Sequence, residues 1–201
     1  MKPSDVEELY YITPIDNLQS IFHHGILSHN RSKKLKTKSV ADPDIQARRE
    51  KVIVPGTNRK LHDFANLYFN PRNPMMYKRK ALHANLCVLR ILCNILDEKG
   101  VIITDGNASS NRTLFQDPQQ GFALLDEKLI YAKYWHDDNP IEKDRKTWSI
   151  CAEVLVPDVI NVKFIQGIYV SCVDTEQKVL HIIGSNPIAK NVQVLSDLFF
   201  L

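Results

Sequence analysis

Glu153 is the residue of this 201-residue chain whose surroundings most strongly indicate chemistry, because it is an acid inside an apolar segment. Residues 147–156 read Thr-Trp-Ser-Ile-Cys-Ala-Glu-Val-Leu-Val, and their alternation predicts a largely buried β-strand. A carboxylate buried there must be paired, hydrogen-bonded or functional, because burial of a bare charge is costly. Glutamate is seldom fully buried, so the same pattern equally fits a half-exposed strand with Glu153 facing water.

The cysteines and histidines do not form a recognisable metal site. The cysteines make no C-x-x-C pair, and none has a histidine at the spacing of zinc ligands. His23 and His24 are adjacent, so on a helix their side chains point in different directions. We predict no metal centre, and we interpret four cysteines as structural thiols: Cys87, Cys93, Cys151 and Cys172.

The common phosphate-binding and hydrolase motifs are missing from the sequence. The chain has 7 glycines, and it contains no G-x-G-x-x-G fingerprint, no G-x-x-x-x-G-K-[ST] loop and no G-x-S-x-G elbow. It also has no H-E-x-x-H or EF-hand pattern. If the chain binds a nucleotide, it therefore does so in a pocket that depends less on glycine.

The basic residues are concentrated in one segment. Residues 31–60 carry 10 Lys/Arg and 3 Asp/Glu, so this segment is +7 and the rest of the chain is −4, which together make the net +3. Such asymmetry is typical of a surface that faces a polyanion. The alternative is a solvated loop that merely helps solubility.

Composition and length limit the class of protein. The chain is 44% hydrophobic and 24% charged, which is typical of globular proteins. No apolar run approaches the roughly 20 residues of a membrane span, and the first residues lack a hydrophobic signal segment. We expect a cytoplasmic protein without membrane association. We find no internal repeat or low-complexity linker, so we predict a single domain over residues 1–201.

Short elements must position these residues. Helices are predicted from residue 16 to Gly25, from 44 to 54, and from Pro74, with Asn73 as its cap. A long polar loop is predicted for 131–146, before the strand that carries Glu153. Residues 89–96 fit a helix as well as the end of a strand. Strands are predicted at 10–13, 65–69, 86–91, 101–104, 164–172, 179–183 and 191–195.

Strands do not alternate regularly with long helices, so a doubly wound parallel sheet is not expected. We predict an α+β fold around a split or two-part antiparallel sheet, with short helices mainly in the N-terminal half.

Several segments, taken in order, resemble one family. The most specific is Tyr-Phe-x-Pro-Arg-x-Pro-Met-x-Tyr at 68–77, inside a longer matching stretch at 61–77. The other matching segments are 11–18, with Ile21 and 25–27 following, then 44–49, 103–109, 144–146 and 152–156. Together they resemble the DarT-type DNA ADP-ribosyltransferase toxins.

The resemblance implies an ADP-ribosyltransferase fold and NAD+ as a substrate. It also implies that ADP-ribose is attached to a base of single-stranded DNA, and that a macrodomain antitoxin of the DarG type removes it. Many relatives carry histidines where this chain has Pro14 and Asn107, so the acceptor base stays open between thymine, the first choice, and guanine.

The resemblance also assigns roles to residues. It implies that Glu153 is catalytic, and that Arg49 is the essential arginine, with Arg48 as the neighbouring alternative. Tyr77 with Met75 or Met76 is expected to line the nicotinamide side. The full set of expected NAD+ contacts is Tyr11, Thr13, Asn17, Leu18, Arg48, Arg49, Met75, Met76 and Tyr77.

These residue types suit the reaction. Cleavage of the bond between nicotinamide and ribose has oxocarbenium character, which a carboxylate stabilises in a dry pocket. A carboxylate can also accept a proton from the attacking base. An arginine can hold the pyrophosphate or position the acceptor.

Single-stranded DNA requires cations and aromatic side chains that stack on bases. We expect the loop at 131–146 to recognise the acceptor, and we predict these DNA contacts: Lys33, Lys34, Lys36, Asn107, Tyr134, Trp135, Arg145 and Trp148. Two alternatives remain. One is a transferase of the same fold that acts on RNA, protein or a tRNA 2′-phosphate, and the other is a non-catalytic nucleic-acid-binding module.

Overall fold

The structure is a computed structural model that describes residues 1–35, 37–39 and 42–201. One large sheet runs through it in the order β10-β9-β4-β1-β3-β7-β5-β6, and β2 pairs with β8 in a separate ribbon. The strands are β1 (Glu8–Pro14), β2 (Ile26–Leu27), β3 (Phe64–Tyr68), β4 (Leu86–Leu92), β5 (Ile102–Thr104), β6 (Phe115–Gln116), β7 (Glu153–Pro157), β8 (Val159–Ile160), β9 (Ile165–Val170) and β10 (Val192–Val194).

The sheet is split between β1 and β3. These two central strands share one register pair, Tyr10 with Tyr68, whereas β1 and β4 share seven and β3 and β7 share five. All of its pairings are antiparallel except β9 with β10. The predicted α+β fold with a split antiparallel sheet is therefore confirmed, and the split opens a gap between the two halves.

Helices cover both faces of the sheet. The described α-helices are α1 (Leu18–His24), α2 (His29–Ser32), α3 (Pro43–Lys51), α4 (Pro74–Lys78), α5 (Pro118–Gly121), α6 (Glu127–Ile130), α7 (Pro140–Ser149) and α8 (Val173–Ile183). Short 3₁₀ helices lie at Pro3–Asp5, Ile15–Asn17, Leu61–Asp63, Lys80–Asn85, Cys93–Asp97, Phe122–Leu124, Val162–Phe164, Pro187–Asn191 and Ser196–Phe199. The two longest, α7 and α8, lie in the C-terminal half, where fewer helices were expected.

Several predicted elements match these bounds. Asn73 caps α4 through its side-chain oxygen, with Pro74 at the first position. Gly25 ends α1 with φ of +81°, and a Cβ there would lie 2.5 Å from the carbonyl oxygen of Ile160. This position therefore requires glycine for its conformation and for the close approach of β8.

Two predicted strands are wrong. Residues 147–152 are the end of α7 and the turn that follows, so Glu153 begins β7 instead of lying in the middle of a strand. The predicted loop at 131–146 accordingly contains most of α7, which Asn139 caps. Residues 179–183 belong to α8, whose Asp174 and Glu176 favour a helix N-terminus. Short apolar runs do not distinguish strand from helix, because both bury them.

The core has one main cluster and two smaller ones. The main cluster joins one face of the sheet to α1 and α8 and includes Leu9, Leu67 and Ile168. A second lies on the other face around Met76 and Phe199. The four cysteines are free thiols, and burial raises the pKa of Cys151 to about 12. Within the described residues, no helix has the length and apolarity needed to cross a bilayer.

Candidate active site

A cleft of about 500 Å³ opens at the split of the sheet. Its walls come from β1, β3, α3 and α4, and Glu153 of β7 lies in it. The lining of the cleft includes Tyr11, Thr13, Asn17, Gln46, Arg49, Tyr68, Met75 and Asn107. The gap between β1 and β3 thus provides a cavity bordered by both halves of the sheet.

The carboxylate of Glu153 is buried and paired. Arg49 donates from Nη1 to both carboxylate oxygens at 3.0 Å, and the backbone N–H of Ala108 donates to Oε1 at 3.0 Å. Glu153 is 1% exposed and Arg49 is 6% exposed. Burial alone would lower the pKa of Arg49, but the charge and hydrogen bonds of Glu153 raise it. The acid that the sequence marked as unusual is therefore a member of a buried ion pair.

The phase of α3 selects between the two adjacent arginines. Asp42 caps this helix, and Arg49 is buried against Glu153. Arg48, one residue earlier, is exposed and does not line the cleft. The geometry accordingly favours Arg49, as the resemblance implied.

A turn after β5 supplies the second partner of Glu153. Thr104 accepts the backbone N–H of Glu153 at 3.0 Å and donates to the carbonyl of Gly106 at 2.8 Å. Gly106 lies against the indole of Trp148, and an added Cβ would overlap that ring. These contacts hold the turn where the N–H of Ala108 reaches the carboxylate.

Trp148 therefore supports this turn. Its Nε1 donates to Thr113 Oγ1 at 2.9 Å, and the guanidinium of Arg112 lies 4.6 Å from the indole centroid. Thr113 in turn donates to the carbonyl of Asn107 at 2.7 Å. Trp148 does not line the cleft, so the structure places it behind the site and not at the expected DNA surface.

A histidine pair lies beside Arg49. His62 is buried, donates from Nε2 to Gln46 Oε1 at 3.1 Å, and stacks on His29 with ring centroids 4.1 Å apart. Burial, then the nearby His29 and Arg49, lowers the pKa of His62 to about 4. His62 is therefore neutral at physiological pH and adds no positive charge beside the ion pair.

Tyr68 lies across from Glu153 in the β3–β7 register. Its hydroxyl donates to the sulfur of Met75 at 3.7 Å. Burial, followed by the charge of Glu153, raises the pKa of Tyr68, so it stays a neutral hydroxyl. Together with Met75 it forms a wall of the cleft next to the carboxylate.

The expected NAD+ contacts divide into two groups. Tyr11, Thr13, Asn17, Arg49 and Met75 line the cleft, and Asn17 donates to Thr13 Oγ1 at 3.1 Å. The others do not line it: Leu18 and Met76 are fully buried in the core, Arg48 is exposed, and Tyr77 faces away.

The expected DNA contacts are also spread out. Lys33 and Asn107 line the cleft, Lys34 is exposed but does not line it, and Lys36 lies outside the described residues. Arg145 pairs with Glu142 at 3.4 Å and with Asp126 at 3.8 Å on the exposed side of α7. Trp135 lies 5.9 Å from Tyr77 between ring centroids, Tyr134 lies against Arg72, and neither lines the cleft.

Sequence reasoning missed Thr104, Ala108, Tyr68, Gln46 and His62 as parts of the site. Tyr68 and His62 lie within the segment 61–77 that carried the resemblance, so that segment was the available signal. The contact of Ala108 is a backbone N–H, which no residue type announces. In the described part of the chain, no group of three His, Cys, Asp or Glu side chains is arranged to hold a metal ion.

Sequence comparison identifies relatives of the whole domain. A family model described as "ssDNA thymidine ADP-ribosyltransferase, DarT" matches residues 10–200. A fusion protein of Thermosipho africanus, named as a DNA ADP-ribosyl transferase joined to a DNA ADP-ribosyl glycohydrolase, is 34% identical over 96% of this chain. A DNA ADP-ribosyl transferase of a Thermus species is 30% identical over 92% of this chain. The chain spans 50% of the first relative and 91% of the second.

Solved structures agree with the sequence comparison. The DarT of Thermus sp. 2.9 in complex with ADP-ribosylated single-stranded DNA superposes with a TM-score of 0.85 at 27% identity, over 98% of this chain and 97% of that one. The same protein in complex with NAD+ superposes with a TM-score of 0.82 at 25% identity, over 98% of each chain. The family model and these relatives show that the chain belongs to the DarT family of single-stranded-DNA thymidine ADP-ribosyltransferases.

Proposed function

We propose that this chain transfers ADP-ribose from NAD+ to a thymine base in single-stranded DNA. The observation that carries the proposal is the Arg49–Glu153 pair, which lies buried in a cleft of about 500 Å³ at the split of the sheet. Membership of the DarT family and the relative solved with ADP-ribosylated DNA support the same reaction. Thymine is preferred over guanine because the family description names thymidine.

Glu153 acts at the reacting ribose in this proposal. As the bond from C1′ to nicotinamide breaks, its electron pair returns to the nicotinamide ring, and positive charge develops on the ribose. The carboxylate stabilises that charge and accepts hydrogen bonds from ribose hydroxyls. Arg49 and the N–H of Ala108 hold the carboxylate in place, so no reorganisation is needed when the charge develops.

The acceptor completes the substitution. Thymine attacks C1′ through N3, the ring nitrogen that is not bonded to deoxyribose, and the N3 proton passes to a base or to water. Glu153 is the carboxylate placed to receive it. The products are neutral nicotinamide, ADP-ribosylated thymine and one proton, so the reaction needs no metal and no redox partner.

The residues that line the cleft are assigned to NAD+ in this proposal. Tyr11, Thr13, Asn17 and Met75 border the dinucleotide, and Tyr68 joins them beside Glu153. Lys33 lies on the same lining and offers an ammonium group for a phosphate. Asn107, on the turn that holds Ala108, is assigned to the acceptor side.

The biological setting follows from the family. We propose that residues 1–201 act as one ADP-ribosyltransferase domain, because a single sheet takes strands from β1 to β10. A macrodomain glycohydrolase of the DarG type is the proposed antitoxin, since the Thermosipho africanus relative is named as a fusion with a DNA ADP-ribosyl glycohydrolase. The proposed location is the cytoplasm, where NAD+ and single-stranded DNA are both present.

The test uses four single-stranded oligonucleotides that differ only at one position, which is A, C, G or T. Each is incubated with NAD+ and analysed by mass spectrometry. We expect one ADP-ribose adduct on the thymine oligonucleotide, and about 100-fold less or none with Glu153→Gln. An adduct on the guanine oligonucleotide alone would identify guanine, and not thymine, as the acceptor base. Folded protein that modifies none of the four, while modifying RNA or protein offered in parallel, would contradict the proposal.

A further inference from the structure

Three aromatic side chains contact one another outside the cleft lining, and a fourth joins them through Arg72. Tyr77 comes from α4, Tyr134 and Trp135 from the segment before α7, and Phe200 from the end of the chain. The ring centroids of Tyr77, Trp135 and Phe200 are 5.3 to 5.9 Å apart. Tyr77 is 47% exposed and Tyr134 is 67% exposed. We call these four residues the aromatic platform.

Arg72 holds the platform together. Its guanidinium lies 4.0 Å from the ring centroid of Phe200 and 5.8 Å from that of Tyr134. It also donates to the carbonyl of Asp197 at 2.8 Å and to that of Lys133 at 2.6 Å, which joins the two segments. Phe200 has φ of +64°, a conformation that costs energy for a bulky residue. Exposed rings held by such contacts indicate a surface that binds a ligand.

Cations outnumber acids in the segments that form the platform, which also carry Asp137, Asp138 and Asp197. Lys80 lies 4.6 Å from the ring centroid of Tyr77, and Lys133 lies 5.7 Å from that of Tyr134. No acidic residue occurs between Asp63 and Asp97, whereas that stretch carries Arg72, Lys78, Arg79, Lys80 and Arg90. Aromatic rings can stack on bases, and the cations between them can pair with phosphates. A purely apolar partner would leave these cations without anionic partners.

The platform is connected to the cleft by two elements. Helix α4 spans five residues, and Met75 and Lys78 on it line the cleft while Tyr77 belongs to the platform. The segment with Tyr134 continues to Asp137, which pairs with Lys146 at 2.6 Å in the last turn of α7. That helix leads directly to Glu153. Both elements thus reach from the platform to the cleft, the first within the five residues of α4.

We propose that the aromatic platform binds nucleotides that flank the target base in single-stranded DNA, by stacking bases on its exposed rings. The inference rests on the proposed function, and it adds a second contact area outside the catalytic cleft. Stacking tolerates any base, so the platform contributes affinity for strand length more than for sequence.

The test compares substrates of two lengths that share one target thymidine. A trinucleotide occupies the cleft alone, and a ten-nucleotide strand also reaches the platform; a third strand has the same length but abasic flanks. The measured quantity is kcat/KM for each substrate with wild-type protein. We expect the ten-nucleotide strand to exceed the abasic strand by about 5- to 150-fold per stacked base.

Variants assign that preference to the platform. Tyr134→Ala should lower the preference of the enzyme for the ten-nucleotide strand over the abasic strand by about 5- to 150-fold, the effect of one stacked base. The loss should appear in KM. Tyr134→Phe keeps the ring and should keep the preference. Val173→Ala on α8 is the matched control, since Val173 is 60% exposed and lies outside both the platform and the segment 131–146. A wild-type enzyme that modifies all three strands equally, or a Tyr134→Ala variant that keeps the preference, would overturn the inference. Absence of any adduct with wild-type protein would instead reject the proposed function.

Discussion

At the scale of single residues, the defining feature is the buried Arg49–Glu153 ion pair, which adds little net stability to the fold. Taking Arg49 and Glu153 out of water costs several kcal/mol per ion, and their attraction roughly offsets that cost. An apolar pair of similar volume would hold the fold as well or better. In the proposed reaction, Glu153 stabilises the developing positive charge on ribose, and Arg49 holds its carboxylate in position.

The two adjacent arginines give a matched comparison. We expect Arg49→Gln to lower the rate of DNA modification by about 100-fold or more, because it removes both hydrogen bonds to Glu153. Arg48→Gln removes the same charge from an exposed position and should change the rate less than about 3-fold. Initial rates at saturating NAD+ measure both. Equal losses in the two variants would reject the assignment.

Stability gives an independent test of the same pair. Glu153→Leu leaves Arg49 buried and unpaired, and we expect it to lower the free energy of unfolding by about 3–5 kcal/mol. The double variant Arg49→Met, Glu153→Leu should recover most of that loss while remaining inactive. Urea unfolding of the wild-type protein, both single variants and the double variant measures this coupling. A double variant with the summed loss of both singles would show that the ions do not interact.

At the scale of elements, the site depends on a turn and a helix that contact each other. The turn after β5 carries Ala108 to the carboxylate, and α7 places Trp148 beneath that turn. Gly106 is the point of closest approach, since no side chain fits between the backbone and the indole. A predicted strand over 147–152 would have placed this tryptophan elsewhere.

Gly106→Ala tests that contact. The added methyl group overlaps the indole, so we expect a loss of about 1–3 kcal/mol in the free energy of unfolding and reduced activity, because Ala108 moves from the carboxylate. Trp148→Leu makes room, so the double variant should lose less than the sum of the two single losses. Calorimetric melting and the oligonucleotide assay together measure the result. Wild-type stability in Gly106→Ala would show that the turn has room to move.

At the scale of the whole molecule, the split sheet creates the cleft. Strands β1 and β3 would close a continuous sheet if they paired along their length, but they share one register pair. Helix α3 forms one wall of this cleft with Arg49 and Gln46. The histidine pair, His29 and His62, also lines the cleft, and His62 is hydrogen-bonded to Gln46.

The buried histidine makes the stability of the whole domain depend on pH. His62 has a pKa of about 4 in the folded protein, because burial, His29 and Arg49 disfavour its cation, whereas an unfolded chain protonates it near the usual value. Between these two pH values the unfolded state binds more protons, so the free energy of unfolding rises with pH across that window.

The measurement compares wild-type protein with His62→Gln. Urea unfolding at several pH values between about 4 and about 7 should give a shallower slope for the variant, since only the wild type loses stability through His62 as the pH falls. Carboxylates contribute equally to both proteins, so the difference in slope isolates the histidine. Parallel slopes would show that His62 titrates normally in the folded protein.

The sequence by itself determined the family and the α+β class, and it marked Glu153 as the candidate reactive acid. Glu153 stood out because a charge in an apolar segment is costly wherever it lies, and that argument needs no coordinates. The segment 61–77 carried the family resemblance through residue types in order. The family and the expected role of Glu153 rest on the resemblance of these ordered segments, whose residue types are local properties of the chain.

Only the tertiary structure decided which of several nearby residues on α3 and α4 face the cleft. The phase of α3 buries Arg49 and exposes Arg48, and the packing of α4 turns Met75 toward the cleft while Tyr77 joins the platform. The partner of Glu153 at Ala108 is a backbone N–H, which every non-proline residue carries. A side-chain direction and a backbone contact both depend on how distant segments pack, and for that reason the local pattern could not specify them.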